Sequence, residues 1–141
     1  MKGRLLVLLD PNVPDLDAAL ETNLEPHCLD EDAESFPKHY WDYWHLTSDP
    51  FGASEPANSE IRIDTKCAGN ARVASNLDSE YLPSAIITPD GQWNDLSDHG
   101  WRLVDEPCES NSIALRKWEL RFANLCVEYS NMIGVEVLYH C

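Results

Sequence analysis

Three things are scarce or missing in this chain, and each absence closes off a class of function. No run of about 18 apolar residues occurs, the length that a membrane-spanning helix needs. The opening Leu5 to Leu9 run is too short for a signal peptide and is cut off by Asp10-Pro11. A cytoplasmic protein with no membrane partner is the expectation.

Spaced cysteine pairs are also missing. The five cysteines (Cys28, Cys67, Cys108, Cys126, Cys141) are odd in number and show no C-x-x-C spacing, so neither a disulfide framework nor a zinc ribbon is indicated. His99, Cys67, Cys108, His140 and Cys141 supply donor atoms, but nothing in their spacing gathers four around one ion. His140 and Cys141 are adjacent, and in a strand they point to opposite faces. Neither a metal nor a cofactor is expected.

Positive charge is the third scarcity, with 10 Lys plus Arg against 25 Asp plus Glu and a formal net charge of -15. Such a chain repels phosphate backbones, so direct nucleic-acid binding is disfavoured and basic protein surfaces become the favoured partners. Between Leu5 and Pro37 stand nine acids and no Lys or Arg: Asp10, Asp15, Asp17, Glu21, Glu25, Asp30, Glu31, Asp32 and Glu34. Their plain reading is a solvated helix face followed by an acidic loop. The sharper one is a surface that imitates the spaced negative charge of nucleic acid and occupies a basic groove on another protein. Asp15, Asp17, Glu21, Glu25, Asp30, Glu31, Asp32 and Glu34 are the partner-binding candidates.

What is present fits one domain over residues 1–141, since 141 residues at 43% hydrophobic content build one core and not two. Leu5 to Leu9 reads as a central strand buried on both faces. After Pro14, Leu16, Leu20 and Leu24 form one helical stripe that Pro26 stops. His27 to Lys38 reads as loop, His39 to Leu46 as an aromatic strand, Ala53 to Asn58 as loop, and Ile61 to Asp64 as a short edge strand. Ser84 to Thr88 is another strand. A longer helix runs from Ser110 or Ser112 to about Tyr129 on the face of Leu115, Trp118, Phe122, Leu125 and Tyr129. In the final strand Val135, Val137 and Tyr139 alternate with Glu136, Leu138 and His140. This order predicts an α+β, ferredoxin-like β-α-β-β-α-β sandwich: two helices on one face of an antiparallel sheet, with an insertion after the second strand and a hairpin extension after the third.

The segment from Thr88 to Trp101 concentrates chemistry in little space. Pro89-Asp90-Gly91 has the residues of a tight turn, with Gln92 to Leu96 folding back as a second arm. Trp93 and Trp101 can supply apolar area, their indole N–H groups needing partners if buried. Asp90, Asp95, Asp98 and His99 form an acid–base cluster on paper, and Cys67, in a C-A-G-N context, is a thiol with His45 or His99 as candidate base, so a small hydrolase or transferase using Asp90, His99 and Cys67 is the enzymatic alternative. No nucleophile motif, phosphate cradle or metal motif accompanies them, and an exposed polar loop accounts for the same residues. Trp41, Tyr43 and Trp44 read as core and edge aromatics, because the negative charge opposes base stacking.

These segments together resemble a group of small uncharacterised bacterial and phage proteins. The likeness rests on a first strand ending L-D-P, the helix P-D-L-D-A-A-L, Y-W-D-Y-W, A-I-I-T-P-D-G-Q-W-N-D-L with a later G-W, W-E-L-R-F-A-N-L, and the closing V-E-V-L-Y-H-C. Its most specific element is T-P-D-G-x-W followed by G-W, which falls here on Pro89, Asp90, Gly91, Trp93, Gly100 and Trp101. Two places depart from the group: Thr47 to Gly52 stands where a G-G-R-W-like turn is usual, and the final pair is in the order His140-Cys141. The resemblance implies phage or mobile-element company and no reaction. The expected function is therefore a non-enzymatic inhibitor that mimics nucleic acid and binds a basic, nucleic-acid-binding host protein, with self-assembly through an exposed last strand as a further alternative.

Overall fold

In the computed structural model, residues 2–28, 43–47, 50–52, 67–102, 104, 106 and 108–140 are described. The chain begins with strand β1 (Lys2–Leu9), whose Leu5 to Leu9 are all buried. Helix α1 (Leu16–Leu24) follows, its N-cap Asp15 accepting from the Ala18 N–H at 3.2 Å. Leu16, Leu20 and Leu24, one helical turn apart, form its buried stripe, and each contributes about 2 kcal/mol by leaving water. Strands β2 (Tyr43–Leu46), β3 (Ala71–Val73), β4 (Ala85–Ile87) and β5 (Trp93–Asp95) come next, before helix α2 (Glu109–Glu128) and strand β6 (Ile133–His140).

The sheet runs β2-β6-β1-β4-β5, with β3 also on β6. β1 pairs β4 in parallel and β6 in antiparallel register, Leu6 lying opposite both Ile86 and Glu136. β2 takes Val137 to His140 of β6, and β3 takes Ile133 to Val135, so the two short strands share one edge of β6 end to end.

The α+β class and the β4–β5 hairpin hold, but the ferredoxin-like arrangement does not. One pairing is parallel, and the two helices lie on opposite faces of the sheet. Leu5, Val7 and Leu9 pack with the α1 leucines, whereas Leu6 and Leu8 pack with Trp118, Phe122 and Leu125 of α2. The cause is visible in the opening run itself. A strand apolar at every position needs cover on both sides, which two helices on one face cannot provide.

Two further expectations are corrected. The last strand is no open edge, since β6 has β1 on one side and β2 with β3 on the other. Leu115 is 36% exposed, and the inner face of α2 is instead Asn111, Ala114, Trp118, Phe122 and Leu125. The aromatic strand is described only from Tyr43, and the expected edge strand at Ile61 to Asp64 lies outside the described residues.

Candidate functional site

The acids of the first helix divide by role. Asp15 caps, and Asp17 Oδ1 accepts the Cys67 N–H at 3.0 Å, so both help to hold the fold. Glu21 and Glu25 are exposed and turned away from the leucine stripe. Asp30, Glu31, Asp32 and Glu34 lie outside the described residues.

The Thr88–Trp101 stretch resolves into a turn and two anchors. Gly91 N donates to Thr88 O at 2.8 Å and Thr88 N to Gln92 O at 3.0 Å, while the Thr88 hydroxyl donates to Asp90 Oδ1. Gly91 sits at φ 83, which glycine adopts without a Cβ clash, and Pro89 precedes it with its fixed φ. Asp90 is thus engaged in building the turn. Trp93 is half-buried, donates its indole N–H to Asp95 at 2.8 Å, and stands edge-on to Tyr139 at 5.4 Å. Its ring also lies 5.5 Å from that of His27, whose Nε2 is 3.0 Å from Gly91 O, so the hairpin is tied to the end of α1. Gly100, at φ 92, ends the short turn Leu96–His99. Trp101 is 38% exposed and borders a cleft of about 390 Å³ with Val104, Cys108 and Leu115. Beneath that cleft the Asn111 amide bridges Arg102, accepting its N–H at 2.9 Å and donating to its C=O at 2.8 Å. The Cys108 thiol, at the N-cap of α2, is pulled below its ordinary value first by the Ser110 hydroxyl and then by the Asn111 N–H.

The enzymatic trio is not brought together. Cys67 is fully buried in the cluster on the α1 side of the sheet. The His99 ring lies 6.1 Å from Trp118, which belongs to the cluster on the α2 side. The sheet separates them, and β5 runs between Asp90 and His99. Among the described residues no three His, Cys, Asp or Glu side chains are grouped to hold a metal ion.

A residue that the sequence pattern hid stands at the centre of the sheet. Glu136 is 0% exposed, and its side chain points to the α2 side, with Leu6. Its Oε1 accepts Arg4 Nη1 at 2.6 Å and the Phe51 N–H at 2.8 Å, and Oε2 accepts the Tyr81 hydroxyl at 2.5 Å. Three donors, one of them fully charged, offset the hydration that the carboxylate gives up. Phe51 is held in the left-handed region, φ 59, a conformation costing on the order of 1 kcal/mol for a residue with a Cβ. Arg72, 4.7 Å over its ring, and Tyr81, 5.2 Å away edge-on, help to fix it there. Burial, and then the Glu136 charge, push the Tyr81 hydroxyl well above its ordinary range, so it remains a neutral donor. Alternation in V-E-V-L gave Glu136 the look of a solvent-facing strand residue. The available clue was Arg4, an opposite charge in the strand that turned out to be its neighbour.

Tyr81 is also a wall. Its ring meets Phe122 at 6.0 Å, and between the 74–82 segment and the second half of α2 lies a groove of about 780 Å³. Leu77, Leu82, Phe122, Ala123 and Val127 give it apolar sides, and Asp78, Glu80 and Glu119 line it as well. Burial pushes the Cys126 thiol up to about 11, which keeps it neutral at physiological pH and makes it part of the apolar wall.

No protein-family model, curated protein or solved structure matches the chain. Among the described residues, no helix is long and apolar enough to cross a membrane.

Proposed function

We propose that the protein is a non-enzymatic binding module that captures a basic protein surface through the outward acids of α1. The observation that carries this reading is the exposure of Glu21 on α1 and of Glu25 at its C-cap, in a helix with no Lys or Arg and within a stretch from Leu5 to Pro37 that also has none. Asp15 adds to that surface at the helix start, whereas Asp17 is already engaged by the Cys67 N–H. In its concrete form the partner is a nucleic-acid-handling or defence protein of a host, and the carboxylates stand in for phosphates on its basic groove. The T-P-D-G-x-W resemblance to phage-like proteins supports that setting. Separation of Asp90, His99 and Cys67 supports binding over catalysis.

A net charge of -15 speeds encounter with a basic partner and makes the complex sensitive to salt. Tagged protein incubated with a host lysate should hold a basic nucleic-acid-binding protein at low salt and release it at high salt. A variant combining Glu21→Gln and Glu25→Gln with amide replacements of Asp30, Glu31, Asp32 and Glu34 should lose that capture. Capture unchanged by the variant would remove the acidic surface from the mechanism.

A further inference from the structure

The geometry points to a second binding surface: the groove between the 74–82 segment and α2 is a docking site for a cationic, amphipathic peptide segment of another protein. An aliphatic side chain of that segment sits over Phe122 and Leu82, and its Lys or Arg neighbours pair with Asp78, Glu80 and Glu119. The surface is independent of the α1 acids, because α1 and α2 cover opposite faces of the sheet.

Size and lining suit a side-chain anchor. About 780 Å³ falls within the range of ligand sites, and the walls are apolar. The groove does not end the exposed apolar surface. Val127, on its rim, is 77% exposed, and Leu120, two helical turns earlier on the same side of α2, is 65% exposed. Large aliphatics left in water along one helix mark an interaction surface, and their length favours a peptide over a compact small molecule. Charge sets the sign of the occupant. Three carboxylates and, among the described residues, no Lys or Arg line the groove. A second copy of the chain would bring a net charge of -15 toward an equal charge, which disfavours it as the occupant. The wall is also set before binding, because the Tyr81 hydroxyl is bonded to Glu136, so docking requires little ordering of the protein.

The test uses the full chain and a fluorescein-labelled amphipathic lysine–leucine peptide, read by anisotropy, with oligolysine of equal charge and a glutamate–leucine peptide as comparisons. Oligolysine should bind at least about tenfold more weakly than the lysine–leucine peptide, because it lacks the anchor. Ala123→Trp, at an exposed helix position, fills the groove and should weaken binding by a similar factor. If that variant fails to fold by circular dichroism, Val127→Lys takes its place. The pair Glu80→Gln and Glu119→Gln should weaken peptide binding while leaving the salt-dependent capture by the α1 acids unchanged, which separates the two surfaces. Equal binding of oligolysine, or full binding by Ala123→Trp, would overturn the proposal. So would a dimer in sedimentation that Val127→Glu dissociates, because the groove's occupant would then be a second copy.

Discussion

Replacing Tyr81 by Phe removes one hydroxyl and nothing else from the wall of the groove, and its consequences can be worked out in advance. Glu136 loses the donor at Oε2 and keeps Arg4 and the Phe51 N–H on Oε1. A hydrogen bond to a buried charge is worth about 2 kcal/mol, so at pH 7 the variant should be less stable by that amount. Linkage then predicts how the difference changes with pH. The folded Tyr81 hydroxyl titrates well above its unfolded value near 10, so its contribution is complete below pH 10 and is lost as pH rises toward the folded pKa. Above pH 10 the wild type should lose stability with rising pH that the variant does not, so the gap between them should narrow. Cys126, held at about 11, destabilises both proteins in the same alkaline window and cancels in the difference. Urea unfolding of both proteins at a series of pH values is the assay. A gap that stays constant into the alkaline range, or a cost below about 0.5 kcal/mol at pH 7, would refute the claim that this hydroxyl serves the buried carboxylate.

Two other substitutions test neighbouring parts of the structure. A Cβ at Gly134 would stand 2.8 Å from Leu6 Cδ1, so Gly134→Ala should cost about 1–3 kcal/mol in urea unfolding, while Gly69→Ala, with open space around it, should cost far less. Asn111→Ala deletes both bonds to Arg102 and should cost about 1–3 kcal/mol, with faster hydrogen exchange at the Arg102 amide as its local signature.

Local structure was legible in this sequence, and its assembly was not. Leu16, Leu20 and Leu24 announced α1, and Pro89-Asp90-Gly91 announced the turn, because each depends on residues within a few positions of one another. The parallel pairing of β1 with β4 joins residues about 80 apart, and no local pattern encodes it. Even so, the unbroken run Leu5 to Leu9 contained the information that overturned the one-sided sheet, since it required cover on both faces. For the candidate sites, residue type misled in two opposite ways. Cys67 and His99 have reactive groups but lie on opposite sides of the sheet, whereas Glu136 looked solvent-facing and is the polar centre of the core. The groove was invisible because its two walls come from residues 74–82 and 119–130.

The place of β6 in the sheet bears on how the chain is made. β6 is synthesised after β1, β2 and β3, yet it is the strand that all three hydrogen-bond. On a ribosome that adds about 5–20 residues per second, the five consecutive apolar residues of β1 emerge about 130 residues ahead of their antiparallel partners in β6. Until then the nascent chain exposes Leu5 to Leu9 without that partner, an interval in which a holding chaperone has something to bind, and a product truncated before β6 leaves β2 and β3 with no strand to pair.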